Sequence, residues 1–153
     1  MKQTSLTATQ LATYLGEVQA IMDAHGFAVQ GVGAGETTPT LIYTVGLSKT
    51  TAHELVIVGL PIQTAAGLLN QIAEVIKAGH LVLTEHTVFA DIANFPLRVR
   101  MLPFEEAVQR CPVVSHLCRD KPIVFAQIVW PDSLGIFPDE PGCNENAVKI
   151  QSL

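Results

Sequence analysis

The side chains best suited to acid–base or binding chemistry fall in two stretches of this 153-residue chain. Tyr43 and Thr44 stand in an otherwise apolar run, and His53 and Glu54 follow a short polar turn; Trp130, Asp132, Asp139 and Glu140 stand far downstream. An imidazole within reach of a carboxylate is the pairing that general acid–base catalysis uses. His53 as base with Glu54, Asp132 or Glu140 would make a small hydrolase- or isomerase-like site if the strand ends meet in one cleft. In that arrangement Tyr43, Thr44, Trp130, Asp132 and Asp139 are the binding residues. The plainer account is also complete: Trp130 belongs to the core, Asp132 caps a turn beside Pro131, and Asp139 and Glu140 are solvated loop charges.

Other catalytic templates are missing. Gly31-Val-Gly33-Ala-Gly35 lacks the sixth-position glycine of a dinucleotide loop and no helix opens after it, so the helix N-terminus that would hold a pyrophosphate is lost. No serine sits between glycines at nucleophile-elbow spacing. Cys111, His116 and Cys118 form the densest Cys/His cluster, but Pro112 interrupts it and a structural zinc site wants four ligands. These cysteines read as small buried hydrophobes, and neither a metal nor a cofactor is expected.

The elements that must position these residues follow from periodicity. Leu11, Tyr14, Leu15, Val18, Ile21 and Met22 mark one face of a first helix, with Thr7 and Gln10 at capping-box spacing, Leu6 and Leu11 as its staple, and Gly26 closing it. Residues 27–32 and 41–45 read as a hairpin around the glycine-rich loop 33–40. The run Leu55-Val-Ile-Val58 has no polar alternation, which predicts a central strand buried on both faces. Pro61 opens a second helix whose face is Ile62, Ala65, Ala66, Leu69, Ile72, Ala73 and Ile76, ended by Gly79. Residues 81–83, 87–89, 97–101 and 123–130 read as strands, and a short helix over 104–111 must end or kink at Pro112.

Composition narrows the class. Hydrophobic residues make up 48% and charged residues 15%, so the chain can bury a core. The mean hydropathy of +0.35 comes from short periodic runs, none near the ~20 residues of a spanning helix. A net charge of −5 with scattered Lys and Arg argues against nucleic acid and against anionic lipid. The start of the chain lacks the apolar core of a signal peptide, so a soluble, cytoplasmic protein with reduced thiols is expected.

Ile42-Tyr-Thr-Val-Gly-Leu-Ser48 followed by His53-Glu-Leu-Val-Ile-Val-Gly-Leu-Pro61 resembles the central signature of the bacterial family called domain of unknown function 4262. Phe125-Ala-Gln-Ile-Val-Trp-Pro-Asp132 with Gly135-Ile-Phe-Pro-Asp-Glu-Pro-Gly142 resembles its C-terminal signature, although Asp139 stands where an aromatic residue is expected. The resemblance covers about residues 8 to 145, implies a small bacterial or phage-borne α+β protein, and brings no activity with it.

The resulting expectation is one α+β domain over 1–153, with a mixed or mainly antiparallel sheet and two principal amphipathic helices packed on it in two layers. The aperiodic tail, 143–153, is expected to be mobile or to pack on a partner. With no strong catalytic template, the favoured function is a non-catalytic binding module for a protein partner or a second copy, using the sheet edge or the acidic C-terminal loop. The alternative is the small His/carboxylate enzyme.

Overall fold

The computed structural model describes residues 7–32, 39–85, 87–118 and 122–153. Helix α1 (Ala8–His25) begins on the expected capping box. Thr7 Oγ1 accepts from the Gln10 N–H at 3.1 Å, and Gln10 Oε1 accepts from the Thr7 N–H at 2.9 Å. Gly26 closes the helix in the left-handed region, at φ 90°. Leu6 of the staple and residues 33–38 of the hairpin loop lie outside the described residues.

Strands β1 (Ala28–Val32) and β2 (Leu41–Val45) pair antiparallel, from Ala28 opposite Val45 to Val32 opposite Leu41. A four-residue helix, α2 (Ser48–Thr51), leads into β3 (His53–Val58), every residue of which is buried. Pro61 caps α3 (Ile62–Gly79). The left-handed residue after α3 is His80, at φ 50°, rather than Gly79. Of the strands expected after α3, 81–83 is irregular and 87–89 shortens to β4 (Val88–Phe89), which pairs with β5 (Leu97–Leu102).

Pro112 does more than stop a helix. Helix α4 (Phe104–Arg110) ends at Cys111, and Pro112 then starts α5 (Pro112–Leu117), where its missing N–H leaves no donor unsatisfied. Strand β6 (Val124–Val129) returns to the centre of the sheet. The sheet order is β1-β2-β3-β6-β5-β4, with β3 and β6 parallel and the other neighbours antiparallel. The fold is therefore α+β on a mixed sheet.

The layering departs from expectation. Ile42, Leu55, Ile57, Ala126 and Ile128 face α3 on one side, whereas Tyr43, Val45, Val56, Val58 and Phe125 face α1, α4 and α5 on the other. Alternate residues of a strand point to opposite faces, so continuous apolar strands expose two apolar faces and each must be covered. The result is three layers, not two, with the two long helices on opposite sides. Among the described residues no helix is long and apolar enough to cross a membrane.

The tail also differs from an unstructured strap. Asn144 caps α6 (Glu145–Ile150), and the next residue, Gln151, is fully buried against the chain's own β6. Gln151 Oε1 accepts from the Trp130 N–H at 3.0 Å, and its Nε2 donates to the Trp130 carbonyl at 2.9 Å. Gln127 Nε2 donates to the Gln151 carbonyl at 2.7 Å.

Candidate functional site

Glu54 is the second residue of β3, at a point where the β2–β3 ladder has stopped, its last register pair being Tyr43 opposite Val56. Thr44 Oγ1 takes the place of a ladder carbonyl and accepts from the Leu55 N–H at 2.8 Å. The same hydroxyl donates to Glu54 Oε1 at 2.7 Å. Oε2 accepts from the Gly46 N–H at 2.9 Å, the Ser48 N–H at 3.2 Å and the Ser48 hydroxyl at 2.7 Å. The segment from Gly46 to Ser48 is thus an anion-binding turn whose anion is the chain's own carboxylate. Gly46 adopts φ +94°, and a Cβ there would lie 2.7 Å from Met22 Cε, so both conformation and packing select glycine. Burial pushes the Glu54 carboxyl above its ordinary range, while the bonds from Ser48, Thr44 and Gly46 oppose that shift.

His53 points to the other face of the sheet. It is buried, and its Nε2 accepts from the Leu83 N–H at 3.1 Å, which places the proton of the neutral ring on Nδ1. Nδ1 faces the Val124 backbone without reaching hydrogen-bond geometry. Burial holds the imidazole below its ordinary value. Tyr43 lies on the α5 side, where burial raises its hydroxyl and the backbone of Val113 faces it. Burial, with the nearby Glu54 charge, pushes the Cys111 thiol up to about 12, so it is not a thiolate nucleophile.

The downstream residues occupy the opposite end of the sheet. His53 is in register with Val124 in a parallel pair, and Trp130 lies six residues beyond Val124. At about 3.3 Å per residue that is roughly 20 Å along the strands. Trp130 donates its indole N–H to the Val58 carbonyl at 2.9 Å. Asp132 Oδ1 accepts from the Leu134 and Ile136 N–H groups, each at 2.9 Å, and Oδ2 accepts from the Asn144 N–H at 2.8 Å. Those backbone donors hold its carboxyl below the usual range. Glu140 Oε1 accepts from the Phe137 N–H at 3.0 Å. Asp139 and Glu140 each lie 3.7 Å from the Arg98 guanidinium, which stacks on Phe137 at 4.1 Å.

The expected set therefore divides. Tyr43, Thr44, His53 and Glu54 share one end of the sheet, but His53 and Glu54 face opposite sides of it; Trp130, Asp132, Asp139 and Glu140 share the other end. No single cleft gathers imidazole, carboxylate and indole, and His53 cannot relay a proton directly to Asp132 or Glu140. His116 is exposed while Cys111 and Cys118 are buried, and no three His, Cys, Asp or Glu side chains converge to hold a metal among the described residues. Gly46, Ser48, Arg98 and Gln151 complete these clusters and were not singled out from the sequence. Ser48 carried a usable signal, a serine before a polar turn. Gln151 carried none.

The family model described as Domain of unknown function (DUF4262) matches residues 21–144, a span that includes Tyr43 to Glu54 and Trp130 to Glu140 but not Gln151. The chain belongs to that family. No curated protein and no solved structure matches it. Residues 42–61, within the matched stretch, build the Glu54 turn and the buried strand beside it.

A further cavity lies elsewhere. About 770 Å³ in volume, it sits between α4, α5 and the approach to β6, lined by Phe104, Val108, Gln109, Pro112, Val114, Ser115, Cys118, Pro122 and Ile123. Phe104 is half exposed at its rim and packs on Phe125 with ring centroids 5.9 Å apart.

Proposed function

We propose that this chain is a non-catalytic binding module whose binding surface is the cavity between α4 and α5. The observation that carries this reading is the occupation of the acid–base candidates by the fold itself. Glu54 accepts from Thr44, Gly46 and Ser48, Asp132 from three backbone N–H groups, Glu140 from Phe137, and His53 from Leu83. A general base must reach a substrate proton with an accessible lone pair. The acidic C-terminal loop, expected as a binding surface, spends its carboxylates on its own backbone and on Arg98.

The protein-partner version of this reading draws on the sheet edge. Strand β1 has no strand on its outer side among the described residues, and an open edge suits pairing with a second chain. The opposite edge is less open, because Glu85 Oε2 already accepts the Met101 N–H at 2.8 Å.

Turnover on a panel of ester, amide and isomerisable substrates, paired with light scattering and partner capture, tests the reading. The expected result is no turnover above that of a His53→Gln, Glu140→Gln double variant. Turnover that the wild-type protein has and the folded double variant loses would establish the enzyme instead. A monomer that captures no partner and takes up no small molecule would sink the module.

A further inference from the structure

The irregular segment 81–85, which follows α3, is fastened to the sheet by two side chains. Before it, the His80 and Leu81 N–H groups both return to the Ile76 carbonyl; at its end, a turn closes from Thr84 to Thr87. In between, the Leu83 N–H donates to His53 Nε2 at 3.1 Å, and Glu85 Oε2 accepts from the Met101 N–H on the edge of β5 at 2.8 Å. Leu83 is buried in the same core cluster as Phe89 and Leu97, while Leu81, Val82, Thr84 and Glu85 around it are exposed. We infer that this segment is an acid-released strap: protonation of His53 breaks its bond to Leu83, frees residues 81–85 and, by carrying Glu85 away, uncaps the Met101 N–H on the sheet edge.

A neutral imidazole accepts on one nitrogen, whereas an imidazolium donates from both. Once protonated, His53 Nε2 and the Leu83 N–H are two donors pointed at each other, and no hydrogen bond joins them. Nδ1 has no partner in hydrogen-bond geometry, so the buried cation is poorly compensated while the strap is closed and meets water when it opens. His53 itself is fixed on a strand in register with Val124 of β6, whereas 81–85 has no ladder of its own, so the strap is the part that yields. Burial holds the closed imidazole below its ordinary 6.5; the open form therefore binds the extra proton, and opening is favoured as pH falls below that value.

The charged and titratable groups on the elements around the ring are Lys49 on α2, Glu74 and Lys77 on α3, His80 and Glu85 at the strap, and Arg98 and Arg100 on β5. Glu74 lies in a groove with His25, and Lys77 sits over the Phe27 ring at 5.6 Å. Arg98 and Arg100 alternate with Val99, which packs in the core on the His53 side, so they and Glu54 belong to the opposite sheet face. His86 and residues 119–121 lie outside the described residues. A charge near the ring would shift the pH of release; the exchange of an acceptor for a donor at Nε2 does not depend on it.

Amide exchange followed by NMR, corrected for the intrinsic pH dependence of exchange, tests the strap. From about pH 7.5 to about pH 5, Leu83 and Met101 should each lose about tenfold or more in protection in the wild-type chain. That loss should be nearly independent of low urea, with the slowest amides of β6 better protected throughout, as befits local opening. In His53→Gln the amide oxygen accepts from Leu83 without titrating, and the loss at both sites should stay under about threefold. Glu85→Gln keeps an acceptor for Met101 and removes the titration of Glu85 itself, so Met101 should still lose protection there as in wild type. Should His53→Gln not fold, the imidazole nitrogen shifts of the wild-type chain carry the test, and at pH 7.5 they should show a neutral ring with its proton on Nδ1. Unchanged Leu83 protection on acidification, an equal loss in folded His53→Gln, a ring protonated while Leu83 stays protected, or exchange of Leu83 only together with β6 overturns the strap. Loss at Leu83 without loss at Met101 in Glu85→Gln overturns the uncapping of the edge.

Discussion

Ser48 reaches the buried Glu54 carboxylate twice, through its N–H at 3.2 Å and its hydroxyl at 2.7 Å. With Gly46 on the same oxygen and Thr44 on the other, the carboxylate organises the turn between β2 and α2. A charge removed from water costs several kcal/mol unless it is matched by donors of this kind, so the turn and the carboxylate depend on each other.

Replacing Glu54 separates the carboxylate's acceptor role from its charge. In Glu54→Gln the amide oxygen can still accept from Gly46 and Ser48, and the amide nitrogen can donate to Thr44 Oγ1. In Glu54→Ala those buried donors lose their acceptor, a loss of about 3 kcal/mol or more. Urea unfolding should therefore rank wild type and Glu54→Gln close together and Glu54→Ala far below. Equal losses in the two variants would remove the acceptor role.

The two neighbours on β3 give opposite pH dependences. Burial lowers His53 below its ordinary 6.5, so the unfolded chain binds the extra proton and stability falls as pH drops below that value. Burial raises Glu54 above its ordinary 4.5, so its contribution is present below that value and is lost as pH rises through the folded pKa. His53→Gln keeps an acceptor for the Leu83 N–H but does not titrate. From about pH 7.5 to about pH 5, wild type should lose more stability than His53→Gln by denaturant unfolding. A smaller loss in wild type would contradict the buried neutral imidazole.

Asp132 offers a position-specific test of the C-terminal loop. In Asp132→Asn the oxygen can still accept from Leu134 and Ile136, but the new amide donor faces the Asn144 N–H, where a carboxylate oxygen had accepted at 2.8 Å. Amide hydrogen exchange should accelerate most at Asn144 and least at Leu134 and Ile136. Uniform acceleration along the loop would mean that the carboxylate does not latch it residue by residue.

Gln151→Ala tests the docking of the tail. The substitution removes the partner of the Trp130 N–H and one donor to the Trp130 carbonyl, and keeps the backbone acceptor used by Gln127. A loss of about 2 kcal/mol in unfolding free energy is expected. Trp130 is the chain's single tryptophan, so its emission reports on this site alone. An unchanged emission maximum and unchanged stability would show that α6 is not held through Gln151.

Much of the chain's local structure was legible beforehand because its signals are local. The capping box at Thr7 and Gln10, the left-handed Gly26 and the apolar run of β3 each stand within a few residues of one another, and each formed as its spacing required. The second role of Pro112 was less legible, because a proline that ends one helix can also begin the next. The short α2 and α6 have no apolar period to announce them.

By itself, the sequence determined the α+β class and the doubly buried central strand, because an apolar run without polar alternation must be covered on both faces. Tertiary structure decided the rest through contacts between distant segments. The parallel pairing of β3 with β6 put Trp130 and Asp132 at the far end of the sheet from His53, and two apolar sheet faces drew α1 and α3 to opposite sides. Pairing partner and covering face depend on which surfaces bury together, a property of the folded whole that no local spacing encodes.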